Sequence, residues 1–374
     1  MAEFSPMMQH YLATKKQYDD CILFYRLGDF YEMFFDDAIT VSKELELTLT
    51  GKDCGQEERA PMCGVPFHAA ETYINRLVSN GHKVAICEQM EDPKLAKGIV
   101  KREVIKVVTP GTNLNAQALD ETKNNYLFCI YYQGDVIGVS ICDFSTGDYF
   151  VTELKSENEL IDEINKFVPS EIIVNEYFAM SGIDLTAVNE KLNISMSTLE
   201  NWYFDEDSSI KKLLSHFKIS ALDGLGVKDY PTGIIAAGAL LTYLYETQKS
   251  DMSHIITLTP YTTGKYMLID SSSRRNLELV ETLREKQKRG SLIWVLDKTK
   301  TAMGARALRS MIEQPLINKD EIINRQNVVE ELCNNQIDRE ELREYMNPIY
   351  DLERLMTKIS CKSANPREWI AFRN

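Results

Sequence analysis

The 374 residues suffice for two or three domains with ordinary cores, and a formal net charge of −14 excludes a nucleic-acid binder that works through a general basic face. The one long apolar-leaning stretch, GIIAAGALLTYLY (233–245), falls short of the roughly 20 residues needed to span a bilayer. The N-terminal MAEFSPMMQHYLATKK has no basic run leading into an apolar one, so no signal peptide is read there.

The eight cysteines show no C-x-x-C pair and no Cys/His ligand spacing, which predicts reduced thiols in a cytoplasmic protein and no metal site. Charge is uneven along the chain: −4 over 1–110, −12 over 111–250 and +2 over 251–374. The acidic middle is a different kind of surface and does not read as a DNA-binding module.

In chain order, Ser5 and Pro6 open a helix with Met8, Tyr11 and Leu12 on one face. CILFYRLGDFYEMFF (21–35) reads as a strand broken at Gly28-Asp29, then a helix from Asp36–Asp37. A polar loop over 51–69 leads into a helix carrying Tyr73, Ile74, Leu77 and Val78. Strands at 84–87 and 103–109 flank a basic loop (92–102), and Pro110-Gly111 closes a mixed α/β domain over 1–112. A second α/β domain, 125–250, begins with three strands (126–132, 136–144, 148–154) joined by tight turns. A helix, a strand at 171–174 and a long helix entered at Pro231 follow. From 260 to 374 the pattern is helical and incomplete. Ser273 is predicted to cap a helix with Leu277, Val280 and Leu283; further stripes are Ala305, Leu308 and Ile312, then Ile322, Val329, Leu332 and Cys333, then 350–361.

The most informative short stretch is Gly28-Asp29-Phe30-Tyr31-Glu32. Alternation along a strand makes Phe30 and Glu32 project together while Tyr31 points back into the domain. Taken alone, this reads as one buried Phe and one solvated Glu. Its surroundings say more. LFYRLGDFYEMFFDDA, PMCGVPFHAAETYINRLVSNGHKVAICEQMEDP and VVTPGT resemble the mismatch-recognition domain of the bacterial DNA mismatch repair MutS family. YPTGIIAAGALLTYL and IDSSSRRNLEL…GSLIWVLDKTKTAMGARALR resemble that family's connector and the start of its lever.

The resemblance implies a recognition domain, a ribonuclease H-like α/β connector and the beginning of an all-α lever. It also implies that Phe30 and Glu32 read mispaired double-stranded DNA from the minor groove. A Phe wedge between base steps unstacks and kinks the duplex, at a cost of a few kcal/mol that is lower at an already weakened pair. Stacking on the mispaired base returns roughly 1–3 kcal/mol whatever the base, so discrimination rests on deformability. Glu32 is the less expected choice, because phosphates repel a carboxylate; the expectation is that it penalises a properly paired duplex. Lys52, Arg59, Lys94 and Lys97 lie on polar loops as candidate phosphate contacts, equally readable as solvated charges. Met62 is a candidate groove-lining residue or a packed one. His68 in GVPFHA has no visible partner for acid/base work and reads as structural.

The resemblance further implies a homodimer, the downstream repair factor MutL as a partner of the connector, and no membrane. ATP and Mg are cofactors of the full-length family only. No G-x-x-x-x-G-K-[ST] occurs, and Gly264-Lys265 is a bare pair, so no ATPase and no catalytic residue are expected in this chain. Two other readings stand beside this one. The acidic middle would act mainly as a protein-docking module, or Asp143 on the second strand, with Asp135 and Asp148 at the turns, would hold metal for a nuclease, although Asp135 and Asp148 flank turns, where Asp is expected for backbone reasons alone.

Overall fold

Alternating apolar side chains over 21–34 form a hairpin whose two faces bury into separate cores, and the first unit is built around it. A computed structural model describes residues 4–91, 98, 100–115 and 118–373. It falls into two compact units, Met1–Ala118 with Leu244–Lys249, and Leu119–Tyr243 with Ser250–Asn374. The first contains α1 (Pro6–Gln17), β1 (Cys21–Leu27), β2 (Phe30–Phe34), α2 (Phe35–Leu45), β3 (Thr50–Lys52), β4 (Ala60–Pro66), α3 (Ala70–Ser79), β5 (Lys83–Gln89) and β6 (Arg102–Val108). The sheet order is β3-β4-β2-β1-β5-β6, with β1 and β5 parallel and the other neighbours antiparallel.

One face of this sheet presents Phe24, Tyr31, Met33 and Val65 to Val41, Leu45, Ile74 and Leu77 of α2 and α3. The other presents Leu23, Tyr25 and Phe34 to Met8 and Tyr11 of α1. Pro6 takes the first helical position as predicted, and α2 starts one residue ahead of Asp36. Buried Asp37 in its first turn accepts from Leu23 N (2.9 Å) and Lys15 Nζ (3.0 Å), fastening α2 to β1 and α1.

The segment 51–69, expected to be a loop, instead supplies β3 and β4. β4 is hydrogen-bonded to β2 on one side and β3 on the other. Its Pro, Gly and polar residues are held in a strand by backbone pairing from both neighbours, a tertiary effect that local propensity does not register.

The second unit has β7 (Leu127–Tyr132), β8 (Ile137–Asp143), β9 (Asp148–Leu154), α4 (Glu157–Phe167), β10 (Glu171–Asn175), α5 (Glu176–Met180), α6 (Thr186–Leu192), β11 (Ser195–Leu199), α7 (Glu206–Phe217), α8 (Pro231–Gln248, whose last residues count with the first unit) and β12 (Thr259–Pro260). Its order is β11-β10-β7-β8-β9-β12. The β7-β8-β9 ladder is antiparallel, while β10 and β11 continue parallel to β7 and β12 pairs parallel to β9.

Helices complete this unit: α9 (Ser271–Asn276), α10 (Leu292–Leu296), α11 (Ala302–Glu313), α12 (Lys319–Asn334), α13 (Gln336–Met346), α14 (Leu352–Ser360) and α15 (Pro366–Arg373). The helix expected to carry Leu277, Val280 and Leu283 does not form. Asp270, not Ser273, caps α9, and its carboxylate accepts from Ser272 N and Ser273 N at 2.9 Å. Glu278 then turns left-handed (φ +47°) and the chain doubles back, with Leu292 N and Ile293 N bonding to the carbonyls of Glu278 and Leu279. α12 does form, but none of its residues is buried. α14 is better anchored. Buried Arg306 forks onto Asp351 (2.7 and 2.8 Å) and reaches Glu353 and the Glu121 carbonyl, and Thr357 Oγ1 donates to the Ser145 carbonyl at 2.9 Å. Among the described residues, no helix is long and apolar enough to cross a membrane.

Candidate nucleic-acid interface

Leu27 and Phe30 face each other across β1 and β2, so Gly28 and Asp29 alone make the turn. Gly28 takes φ +60° at the first central position, as a primed hairpin turn requires. Phe30 is therefore the first residue of β2, and its side-chain face is fixed by alternation with its neighbours. Phe34, two turns of the pleat further on, is packed edge-on against Tyr11 at 4.9 Å and fully buried. Phe30 belongs to neither core and is 46% exposed, while Tyr31 between the two anchors is 7% exposed. The expected divergence of Phe30 and Tyr31 is thus present. About half of a large apolar ring is left in water on a rigid strand, which leaves roughly 1 kcal/mol of transfer free energy unused.

The backing is tight. Tyr31 OH donates to Glu88 Oε2 (2.6 Å), which also receives Arg26 Nη1 (3.4 Å). Burial, then the Glu88 hydrogen bond and charge, push the Tyr31 phenol well above its ordinary range. The Arg26 guanidinium lies 3.8 Å from the centre of the Phe67 ring, and Phe67 N donates to the Asp29 carbonyl at 3.0 Å. Arg102 is buried, donating to the carbonyls of Arg26 (2.8 Å) and Val100 (2.9 Å) and lying over Tyr25. It ties β6 to β1 and presents no free charge. Beside it, burial pushes Tyr25 up to about 12, while burial and then the Arg102 charge lower His10, whose Nδ1 is 2.8 Å from Tyr25 Oη.

Glu32 lies opposite Tyr25 on β1 and Gly64 on β4. The sequence reading gave Glu32 and Lys52 separate roles, one facing the base and one facing phosphate. The structure joins them: Lys52 Nζ, reaching from β3, is ion-paired with Glu32 Oε2 and sits 5.7 Å over the Phe34 ring. Arg59 is exposed, its stem alongside Gly51. Met62 is half-buried opposite Phe34 and packs against the α1-side core, which favours its packed reading over groove lining. His68 is exposed, with its ring edge-on to Phe67 at 5.8 Å. Lys94 and Lys97 lie outside the described residues. Sequence reasoning missed Phe67, which is 43% exposed at the same end of the hairpin; its place directly after β4 was hidden while 51–69 read as a loop.

The carboxylates weighed for a nuclease do not converge. Asp143 and Asp148 sit across the β8–β9 turn, whereas Asp135 lies at the far end of β8. The oxygens of fully buried Asp143 are occupied by donors: Ser145 N (2.8 Å) and Oγ (2.7 Å) on one, Asn124 Nδ2 (2.8 Å) and Asn125 N (3.0 Å) on the other. That is a turn cap, with no oxygen turned outward to a metal. Among the described residues no group of three His, Cys, Asp or Glu side chains is placed to hold a metal. Gly264-Lys265 falls in a single 3-10 turn (Thr263–Lys265) and not between a strand and a helix, so these residues do not fit the phosphates of ATP or its Mg ion.

Three family models match in succession: MutS domain I over 5–117, MutS domain II over 125–256 and MutS domain III over 272–374. The chain is 65% identical over 372 residues to the DNA mismatch repair protein MutS of Lachnoclostridium phytofermentans, covering all of this chain and 40% of that protein. It is 53% and 52% identical to the proteins of the same name from Ruminiclostridium cellulolyticum and Acetivibrio thermocellus, covering all of this chain and 43% of each. It thus spans about two fifths of the length of these relatives, aligned from end to end at high identity, and with its mixed α/β sheets and helices it belongs to the MutS family.

Proposed function

We propose that this chain binds mismatched double-stranded DNA, with Phe30 as a wedge inserted from the minor groove beside the mispaired or unpaired base and Glu32 contacting that base. The observation that carries the reading is the half-exposed Phe30 ring on a strand whose every other element is anchored, with a carboxylate beside it on the same face. A wedge must stay rigid while it unstacks a base step. The Tyr31–Glu88–Arg26 network and the Arg102 tie supply that rigidity. Arg59 remains available as a phosphate contact.

The same reading divides the chain into a recognition domain (1–112), a connector (125–250) and the start of an α-helical lever (260–374). Supporting it are the spans of the three family-model matches and a strand order, three antiparallel strands continued by two parallel ones, that suits a ribonuclease H-like connector. The intact protein would act in the cytoplasm as a homodimer, with ATP and Mg held outside this chain. The connector would be the site where MutL docks. Exposed Tyr177, Met180, Met196 and Trp202 in that acidic segment support a docking role beside the DNA-binding one.

The test is fluorescence anisotropy at low salt with a G·T or single-unpaired-T duplex and its matched homoduplex. The unsubstituted chain is expected to prefer the heteroduplex, and Phe30→Ala is expected to abolish the preference. Equal binding to both duplexes, unmoved by Phe30→Ala, overturns the reading.

A further inference from the structure

Lys52 and Glu32 meet by an unusual route. Lys52 is on edge strand β3, opposite Ala60, and Glu32 is on β2, opposite Gly64, so the lysine side chain crosses β4 diagonally to reach the carboxylate. Gly64 lies close beside Glu32: a Cβ there would lie 3.3 Å from the Tyr31 carbonyl oxygen and 3.4 Å from Glu32 Cγ. Lys52 Nζ rests over the Phe34 ring as it arrives. With side chains 31% and 16% exposed, the pair is partly withdrawn from water and from salt screening. On β1 and β6, Arg26 is committed to Glu88 and Arg102 to backbone carbonyls.

We infer that Lys52 is a positioning and specificity residue for Glu32, not an independent phosphate contact. A bare carboxylate approaching the phosphate-lined minor groove is repelled and turns away toward water. Paired with Lys52, Glu32 approaches as a neutral unit and stays on the face it shares with Phe30, where a base displaced by the ring comes within reach. The groove, a polyanion with base edges at its floor, is then read by a charge-compensated group. This inference rests on the mismatch-reading role of Phe30, and it replaces simple repulsion by Glu32 as the source of discrimination.

The two roles for Lys52 leave different signatures. A phosphate contact weakens every duplex alike when removed and lowers the salt slope by about one. A positioning residue changes the ratio of heteroduplex to homoduplex affinity and leaves the slope alone. In anisotropy titrations of the 374-residue chain at several salt concentrations, Lys52→Met is expected to lower that ratio about tenfold. Lys52→Arg, which keeps the charge, is expected to restore most of it. In a Glu32→Gln background, which has no charge left to compensate, Lys52→Met is expected to leave the ratio unchanged. A uniform loss on both duplexes with a shallower slope overturns the inference, as does a ratio loss that persists with Glu32→Gln. Phe30→Ala, run in parallel, separates the two failures. If Phe30→Ala abolishes the preference while the Lys52 series behaves as a phosphate contact, only this inference falls. If the unsubstituted chain distinguishes no duplex from another, the mismatch reading and this inference fall together.

Discussion

The β1–β2 hairpin of the first unit and the β8–β9 hairpin of the second each set a phenylalanine and a carboxylate at a glycine-bearing turn. In the first, Phe30 is half in water and Glu32 is held by one lysine that has to cross a strand to reach it. In the second, Phe144 is fully buried with its ring 5.1 Å from His254, and Asp143 accepts two hydrogen bonds from Ser145 in its own turn and two more from Asn124 and Asn125. The same residue types make an exposed edge in one place and a sealed corner in the other. What separates them is whether the neighbours close over the side chain.

The largest way to break this comparison is to truncate both rings. Phe144→Ala is expected to destabilise the second unit by about 3–5 kcal/mol, the range for a large ring removed from a close-packed site. Urea unfolding followed by tryptophan fluorescence measures it, because Trp202, Trp294 and Trp369 all lie in that unit. Phe30→Ala is expected to leave hydrogen-exchange protection of the β1 and β5 amides within about 0.5 kcal/mol of the parent, as for an exposed substitution. A large loss of protection would show that Phe30 serves the fold after all.

A second test uses pH. Burial, and then the nearby His216, hold His254 down to about 4 against the hydrogen bond it makes to the Phe144 carbonyl and the charge of Asp251. Below its ordinary 6.5 the unfolded chain binds a proton that the folded chain refuses until about 4. This contribution is therefore fully present above pH 6.5 and lost as pH falls from 6.5 to 4, amounting to about 3 kcal/mol. The stability of the second unit is expected to fall over that window, and His254→Gln is expected to flatten the fall. The same slope in both proteins would show that other groups govern it.

The contrast between the hairpins was only half legible in the sequence. Strands 21–27 and 30–34, the two-residue turn and the shared face of Phe30 and Glu32 follow from local alternation and one Gly-Asp pair, whereas alternation alone read Phe30 as buried and it is half exposed. The Lys52–Glu32 pair joins residues twenty positions apart through the register of β4, and β4 itself, APMCGVP, lacks the signature of a strand. Asp143 was readable as a residue of the second strand, but its burial was not, because Asn124 and Asn125 come from the chain before β7. Helical periodicity misled over 277–283, where the left-handed Glu278 ends the helix that the stripe of Leu277, Val280 and Leu283 suggested.

The smallest expected effect sharpens the comparison most, since it isolates the turns themselves. Gly28 (φ +60°) and Gly147 (φ +86°) both occupy the left-handed region, so an alanine at either carries the backbone penalty of roughly 1–2 kcal/mol. They differ in what surrounds them. A Cβ on Gly28 meets nothing within 4 Å, whereas one on Gly147 would lie 2.7 Å from the His254 carbonyl oxygen. Gly28→Ala is therefore expected to cost about 1 kcal/mol, read as reduced protection of the β1–β2 amides, with nothing beyond the backbone term. Gly147→Ala adds a clash with main chain that cannot swing aside, and is expected to cost at least about 1 kcal/mol more in urea unfolding. Equal costs at the two positions would mean that the second turn yields as freely as the first. The sealed character of the β8–β9 corner would then rest on Phe144 and Asp143 alone, and not on the closeness of the chain around them.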